Sequence, residues 1–348
     1  MLENYLLLRY LEGIGLRTIK KYLEEGWSAA KIIKEHRRRI KNYHQAWREV
    51  KRELARSDEL GVRLVPYSDS EYPASLREIA DPPFILYVKG RRLPNFAETL
   101  AIVGTRKISP YGREVLRYFV PPLCQAQLTI VSGLARGVDQ LAHQLVLENQ
   151  GATVAILGTG LDIVYPPESK TLFEKIGKEG TLVSEFPFGF EPTQYSFPAR
   201  NRLIAGFSKA VLIVEAPVKS GALITAGLAL EQNREVFVVP GSIFAANSSG
   251  NHELIRDGAS LVTEPEELLK FFNRHLHKTD SIIVNKNELK SWRPEEREIY
   301  QLLQRASYRV DEIIRLTHLP PAVVNSTLTL LEIKGKVREL GPGEYSIV

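Results

Sequence analysis

The chain has 348 residues, 44% hydrophobic and 25% charged, a globular composition too long for one small domain. Its 46 Lys and Arg against 41 Asp and Glu leave a net charge of +5, which permits a polyanionic partner without requiring one. A single cysteine, Cys124, excludes an intrachain disulfide and a thiolate metal cluster. With no secretory signal pattern and no run near the roughly 18 apolar residues of a membrane span, a cytoplasmic protein is expected.

Residues 1 to about 60 lack proline and read as helices. In "LLLRYLEGIGLRTIKKYLEE" two short amphipathic helices are broken at Gly13-Ile14-Gly15. That turn is either a plain hairpin needing φ > 0 or a helix-hairpin-helix element whose backbone N–H groups receive a phosphate. The next stretch, residues 31 to 52, carries nine Lys or Arg against two Glu, a solvated helix face or an auxiliary polyanion surface.

From about residue 64 to 272, short apolar runs alternate with helical patterns. Strands are expected at Leu100–Val103, Leu128–Val131, Thr153–Leu157, Thr181–Ser184, Ala210–Glu215, Glu235–Val239 and Ser260–Thr263. Most are continuous rather than alternating, as in strands covered on both faces. Strand–helix alternation with short turns predicts α/β architecture: a doubly wound, mostly parallel Rossmann-like sheet. Such sheets bind ligands beyond the carboxyl ends of their strands.

The expected strand ends are rich in glycine, hydroxyl and cationic residues. They include Gly104-Thr105-Arg106 followed by Lys107, Ser132-Gly133-Leu134-Ala135-Arg136, Gly158-Thr159-Gly160, and Lys219-Ser220-Gly221. Glycine admits a close ligand, and hydroxyls and helix N-termini bind phosphate oxygens. Repeated at neighbouring strands, these turns make an anion-binding floor. The first lacks the G-x-G-x-x-G spacing of a dinucleotide site, so a ligand with many phosphates is expected. Arg200, Asn201 and Arg202 read as the start of a helix, where the macrodipole disfavours cations and an anion would explain them.

Ser132, Asp139 and His143 contain hydrolase-like components without a G-x-S-x-G elbow, and Asp139 reads more simply as a helix cap. Glu185 and Glu215 end strands, but no metal-ligand spacing accompanies them, so neither a catalytic centre nor a metal or other cofactor is expected.

The stretches "YPASLREIADPPFILYVKG", "AIVGTRKISPYG", "VSGLARGVDQLAH", "GTGLDIVYPPES", "SEFPFGFEPTQYSFPARNRLIAGFS", "VEAPVKSGALITAGLALEQNREVFVVPG" and "GNHELIRDGA" occur in one order between about residues 72 and 260. There the chain resembles the DNA-processing protein A (DprA/Smf) family. The resemblance implies a single-stranded DNA-binding protein that protects incoming strands in natural transformation and loads a RecA-type recombinase. It also implies a homodimer through the end of the Rossmann-like domain, around Leu254 and Ile255, and a small sterile-alpha-motif-like helical domain ahead of it. Carried over by motif, the DNA-binding residues would be Gly104 to Lys107, Ser132, Gly133, Ala135, Arg136, Gly160, Arg200 to Arg202, and Lys219 to Gly221.

Boundaries are expected at 1–62 for the helical domain, 63–273 for the Rossmann-like domain, 274–291 for a linker and 292–348 for a winged helix. The last unit reads as three helices and a hairpin around Gly341-Pro342-Gly343. Its third helix carries Val324, Leu328 and Leu331 inward and offers a groove only Asn325, Ser326, Thr327 and Lys334, which argues against sequence-specific duplex reading. Phe197, Tyr195 and, less well, Phe207 are candidate base-stacking platforms. Two alternatives stand beside single-strand binding: a nucleotide-processing hydrolase of related fold, and a duplex-binding regulator acting through the winged helix. "PGSIFAANSSG" lacks the paired glycines and glutamate of the phosphoribohydrolase loop.

Overall fold

The computed structural model describes residues 2–274, 292–303 and 307–347, in two compact units, 1–277 and 278–348. The expected linker therefore lies almost wholly outside the described residues.

The first unit opens with α1 (Leu2–Tyr10), α2 (Leu16–Glu24), α3 (Ala29–His36) and α4 (Tyr43–Leu60). The break between α1 and α2 needs glycine: Gly13 has φ +105°, and a Cβ there would lie 2.5 Å from the Arg39 carbonyl oxygen. Ser28 caps α3 by accepting from the Lys31 N–H at 3.2 Å, and α4 ends in left-handed Gly61. Their apolar faces share one core with Ile85, Tyr87, Leu157 and Leu182 of the sheet.

Nine strands follow in one sheet: β1 (Arg63–Pro66), β2 (Ile85–Gly90), β3 (Thr99–Val103), β4 (Thr129–Ser132), β5 (Ala152–Leu157), β6 (Thr181–Ser184), β7 (Ala210–Ile213), β8 (Glu235–Val238) and β9 (Ser260–Leu261). Their order is β1-β2-β6-β5-β4-β3-β7-β8-β9, with every pair from β6 to β9 parallel. All seven expected strands are present. The two unexpected ones, β1 and β2, pair antiparallel with each other, and β2 pairs antiparallel with β6.

Helices α5 (Ala74–Arg77), α6 (Pro110–Gln125), α7 (Val138–Glu148), α8 (Lys170–Glu179), α9 (Ser196–Phe207), α10 (Gly221–Glu231), α11 (Ser249–Arg256) and α12 (Pro265–Phe271) connect or flank the strands. Along β3, Leu100 and Ile102 enter a layer with α6, α7 and α12, while Ala101 and Val103 enter another with α9 and α10. Burial on both faces is why these strands read as unbroken apolar runs. The chain leaves β3 for β4 on one side and returns to β7 on the other, so a topological switch point falls at β3, where such sheets open a crevice.

The second unit contains α13 (Pro294–Leu303), β10 (Tyr308–Arg309), α14 (Val310–Thr317), α15 (Pro321–Ile333), β11 (Val337–Gly341) and β12 (Glu344–Ile347). Val324, Leu328 and Leu331 are buried as expected, and Gly343 supplies the positive φ of the wing hairpin. Strand β10, which the sequence does not reveal, adds a third member by pairing with β12.

Candidate nucleic-acid interface

The carboxyl ends of β3, β4 and β7 meet α9 and α10 around a groove of about 570 Å³. Gly104, Thr105, Arg106, Ala135, Arg200, Asn201, Ser220 and Gly221 all line it, so eight of the expected residues converge there. A second recess shares Arg106, Ala135, Phe197 and Arg200 and adds Gly133, Arg136 and Tyr165.

The turns interlock through their backbones. Thr105 accepts from the Val138 N–H at 3.2 Å and donates its own N–H to the Glu215 carbonyl at 2.7 Å. A Cβ on Gly104 would lie 2.6 Å from Val138 Cγ2, so the glycine sets how closely α7 approaches. At the end of β4, Asp139 Oδ2 accepts from the Gly133 and Ala135 N–H groups at 3.1 and 3.4 Å. Asp139 thus holds that turn from the first turn of α7, whose N-cap is Gly137.

Beneath the groove the Arg200 side chain is buried. Its Nη1 donates to the Gly133 carbonyl at 2.5 Å and also to the Ile156 carbonyl. Burial pulls the guanidinium down to about 10 against the opposing pull of Asp139, and burial raises Asp139 to about 6 against Arg200. Arg200 lies in the second turn of α9, which begins at Ser196 rather than at the arginines. The expected conflict with the helix macrodipole is therefore relieved by position.

Arg202 departs from its neighbour. Its two Nη atoms lie 3.0 and 2.6 Å from the oxygens of Glu185, in a separate recess with Arg9, Asp81 and Phe186. Burial raises the Glu185 carboxyl, with Arg202 opposing. Gly160 also lies away from the groove, buried where a Cβ would collide with the Pro187 carbonyl oxygen. Lys107 is exposed beyond the rim, and Arg136 pairs with Glu168. Ser132 donates to the Ile102 carbonyl at 2.7 Å, while buried His143 pairs with Thr153 and is held down to about 3 by burial. Ser132 also lies within hydrogen-bond reach of Asp139, but His143 is bonded to Thr153 instead.

Three helix N-termini face this edge, and two are already satisfied. Glu215 accepts from both the N–H and the Oγ of Ser109 at the start of α6, closing the site where a dinucleotide pyrophosphate would settle. At the start of α7 the Val138 N–H is taken by the Thr105 carbonyl. The start of α10 is different: Ser220 caps it through the Ala222 N–H at 3.3 Å, and Gly221 has open space above it.

Among the described residues, seven non-glycine residues have positive φ. Five follow helix ends, where that conformation is ordinary; the other two, Leu134 and Lys219, sit in the turns after β4 and β7. Backbone strain held at such turns is a mark of ligand sites.

Arg106 is exposed with its Cζ 5.6 Å from the centre of the Phe197 ring, and Tyr165 stands 5.3 Å from the same ring. Sequence reasoning does not single out Tyr165, although its place in a Gly/Pro-rich loop after a strand is the available signal. Tyr195 is 76% exposed at the start of α9, whereas Phe207 is core. Leu254 and Ile255 are half-buried against the chain's own core.

The family model described as DNA recombination-mediator protein A matches residues 63–273, more than half of the chain. The chain belongs to that family. A model for its winged helix domain matches residues 286–343. Among relatives, the protein Smf of Escherichia coli is 45% identical over 62% of this chain and 58% of its own length. The DNA processing protein DprA of Streptococcus pneumoniae is 43% identical over 59% of this chain and 72% of its own. The match to the Smf proteins spans little more than half of their length. The X-ray structure of the pneumococcal DprA aligns with a TM-score of 0.61 at 37% identity, covering 67% of this chain and 82% of that one. A structure describing single-stranded DNA binding by DprA from Helicobacter pylori aligns with a TM-score of 0.56 at 29% identity, covering 61% and 98%. Among the described residues, no helix is long and apolar enough to cross a membrane.

Proposed function

We propose that this chain binds single-stranded DNA along the groove at β3, β4 and β7. It would protect the strand and deliver it to a RecA-type recombinase in transformation or recombination. The observation that carries the reading is the contrast among helix ends. Internal acceptors already occupy the starts of α6 (the Glu215 carboxylate at Ser109) and α7 (the Thr105 carbonyl at Val138), while exposed Arg106, the open start of α10 and exposed Lys219 in the turn before it remain available to phosphates. The Phe197–Tyr165 pair beside Arg106 offers ring faces to bases, a sequence-tolerant arrangement. The single-strand binding described for the Helicobacter relative supports the same assignment.

In this reading Gly104 to Arg106, Ala135, Asn201 and Lys219 to Gly221 meet the strand. Gly133 and Arg200 support it from below, and Lys107 and Arg136 act at the rim, Arg136 after exchanging Glu168 for phosphate. Gly160 and Arg202 shape the neighbouring loops. The protein is cytoplasmic, not an enzyme, and organised as a helical unit 1–62, a Rossmann-like unit 63–273 and a winged helix 292–348. It acts as a homodimer through the α11 region containing Leu254 and Ile255. The winged helix contributes little direct groove reading, since Lys334 is engaged by Glu296 at 2.7 Å.

A competition titration tests the reading. A labelled single strand is expected to be displaced by unlabelled single strand, weakly by duplex, and not by nucleoside monophosphates. Displacement by monophosphates as effective as by strand would instead favour the nucleotide-processing alternative.

A further inference from the structure

The run of nine cations between Lys31 and Arg52 belongs to no part of the groove, which is built from β3, β4, β7, α9 and α10. All nine side chains are exposed. Among the described residues only Arg52 has a carboxylate within ion-pair distance, Glu49 at 2.8 Å. Lys31 stacks over Trp27 at 3.7 Å and Arg37 over Tyr43 at 3.8 Å, so two of the cations lie on aromatic faces.

Helix electrostatics explain only part of this. Lys34 and Arg37 sit at the end of α3, where the macrodipole favours positive charge. Lys41 lies just before α4, which has no acidic residue in its first turn, so there the dipole opposes it, while Arg48 and Lys51 lie beyond that turn, where the dipole does not account for them. Like charges at this density repel one another, a cost removed when a polyanion covers them.

The surface is unsuited to a bilayer. Ala29, Ile32, Ile33, Ala46 and Val50 spend the apolar faces of α3 and α4 in the core. The exposed large hydrophobic side chains among the described residues include none from residues 29 to 60. A membrane-binding helix needs such anchors, whereas phosphate contacts need only exposed cations.

We propose that the α3–α4 face is a second nucleic-acid surface, taking the phosphate backbone of a DNA segment that runs beyond the groove, single-stranded or duplex. It goes beyond the groove reading and stands on different residues.

The test combines Arg38→Ala, Lys41→Ala, Arg48→Ala and Lys51→Ala in the full chain. Probes are a strand of roughly 6 nucleotides, within one groove's site size, one of roughly 40, and a duplex of roughly 40 base pairs. The variant should melt like the parent and hold the short strand equally well. It should bind the long strand or the duplex at least about tenfold more weakly, with a salt dependence shallower by about 0.7 to 0.9 for each phosphate no longer neutralised. Loss on the duplex alone would assign the surface to duplex, and loss on the long strand alone to single strand. Unchanged binding of both long probes would overturn the proposal. So would an equal loss on the short strand with unchanged melting, or tighter parental binding to phosphatidylserine vesicles than to either long probe. Failure of the parent to hold the short strand would count against the groove alone.

Discussion

The Arg200 guanidinium fills the space above Gly133. Its Nη1 is 2.5 Å from the Gly133 carbonyl oxygen, and a Cβ on Gly133 would collide with that same nitrogen. A buried cation, a glycine and the carboxylate of Asp139 thus fix the turn after β4 beneath the groove.

Replacing Gly133 by Ala should therefore destabilise the fold by about 1–3 kcal/mol, the usual cost of overpacking a filled site. Arg200→Ala should also destabilise the fold, by about 1–3 kcal/mol for each buried carbonyl, Gly133 and Ile156, that loses its donor. Denaturant midpoints check both, and a fully stable Gly133→Ala protein would mean that the guanidinium has room to move.

Arg106→Ala removes an exposed side chain. It should leave the melting temperature unchanged while weakening single-strand affinity by about 1.5–3 kcal/mol, the scale of a charge-assisted hydrogen bond. Anisotropy titration paired with a melting curve separates the two effects.

Two buried groups give opposite pH dependences. His143 is held down to about 3 against an ordinary value near 6.5, so the unfolded chain binds its proton first and stability falls as pH drops from about 6.5 towards 3. Asp139 is raised to about 6, so the fold keeps its proton longer and stability falls as pH rises from about 4 through 6. The histidine effect is the larger, up to about 5 kcal/mol. His143→Gln should accordingly lose less stability than the parent between pH 6.5 and 4, and Asp139→Asn should lose more. Urea titrations at several pH values read the difference.

Glu215, two residues past the end of β7, reaches the start of α6. Glu215→Ala should cost about 1–2 kcal/mol, as for removal of other N-terminal caps. Inorganic phosphate should then raise the melting temperature of the variant more than that of the parent, by filling the vacated anion position.

Much of the fold is legible in the sequence because β3 to β8 are buried on both faces and therefore appear as apolar runs such as Leu100–Val103. Strand β1 is not, since Arg63–Pro66 is short and ends in proline; β2 is as apolar and as buried as the others, but it pairs antiparallel outside the strand–helix alternation that marks the rest. At the groove, glycines and hydroxyls mark the turns, but the sequence does not separate Arg200 from Arg202. They are two residues apart, and their fates depend on Gly133, Ile156 and Glu185, partners distant in the chain. The same holds for Glu215, whose contact with Ser109 spans 106 positions and turns the expected phosphate seat at α6 into an internal cap.

Phosphate binding at Arg106 and at the Lys219 turn is read without intermediaries from the salt dependence of short single-strand binding. The parent's affinity should fall steeply as salt rises, and Arg106→Ala with Lys219→Ala should flatten the slope by about 1.4, roughly 0.7 for each phosphate no longer neutralised. An affinity that barely responds to salt in the parent, or an unchanged slope in the double variant, would be incompatible with phosphates at these two turns.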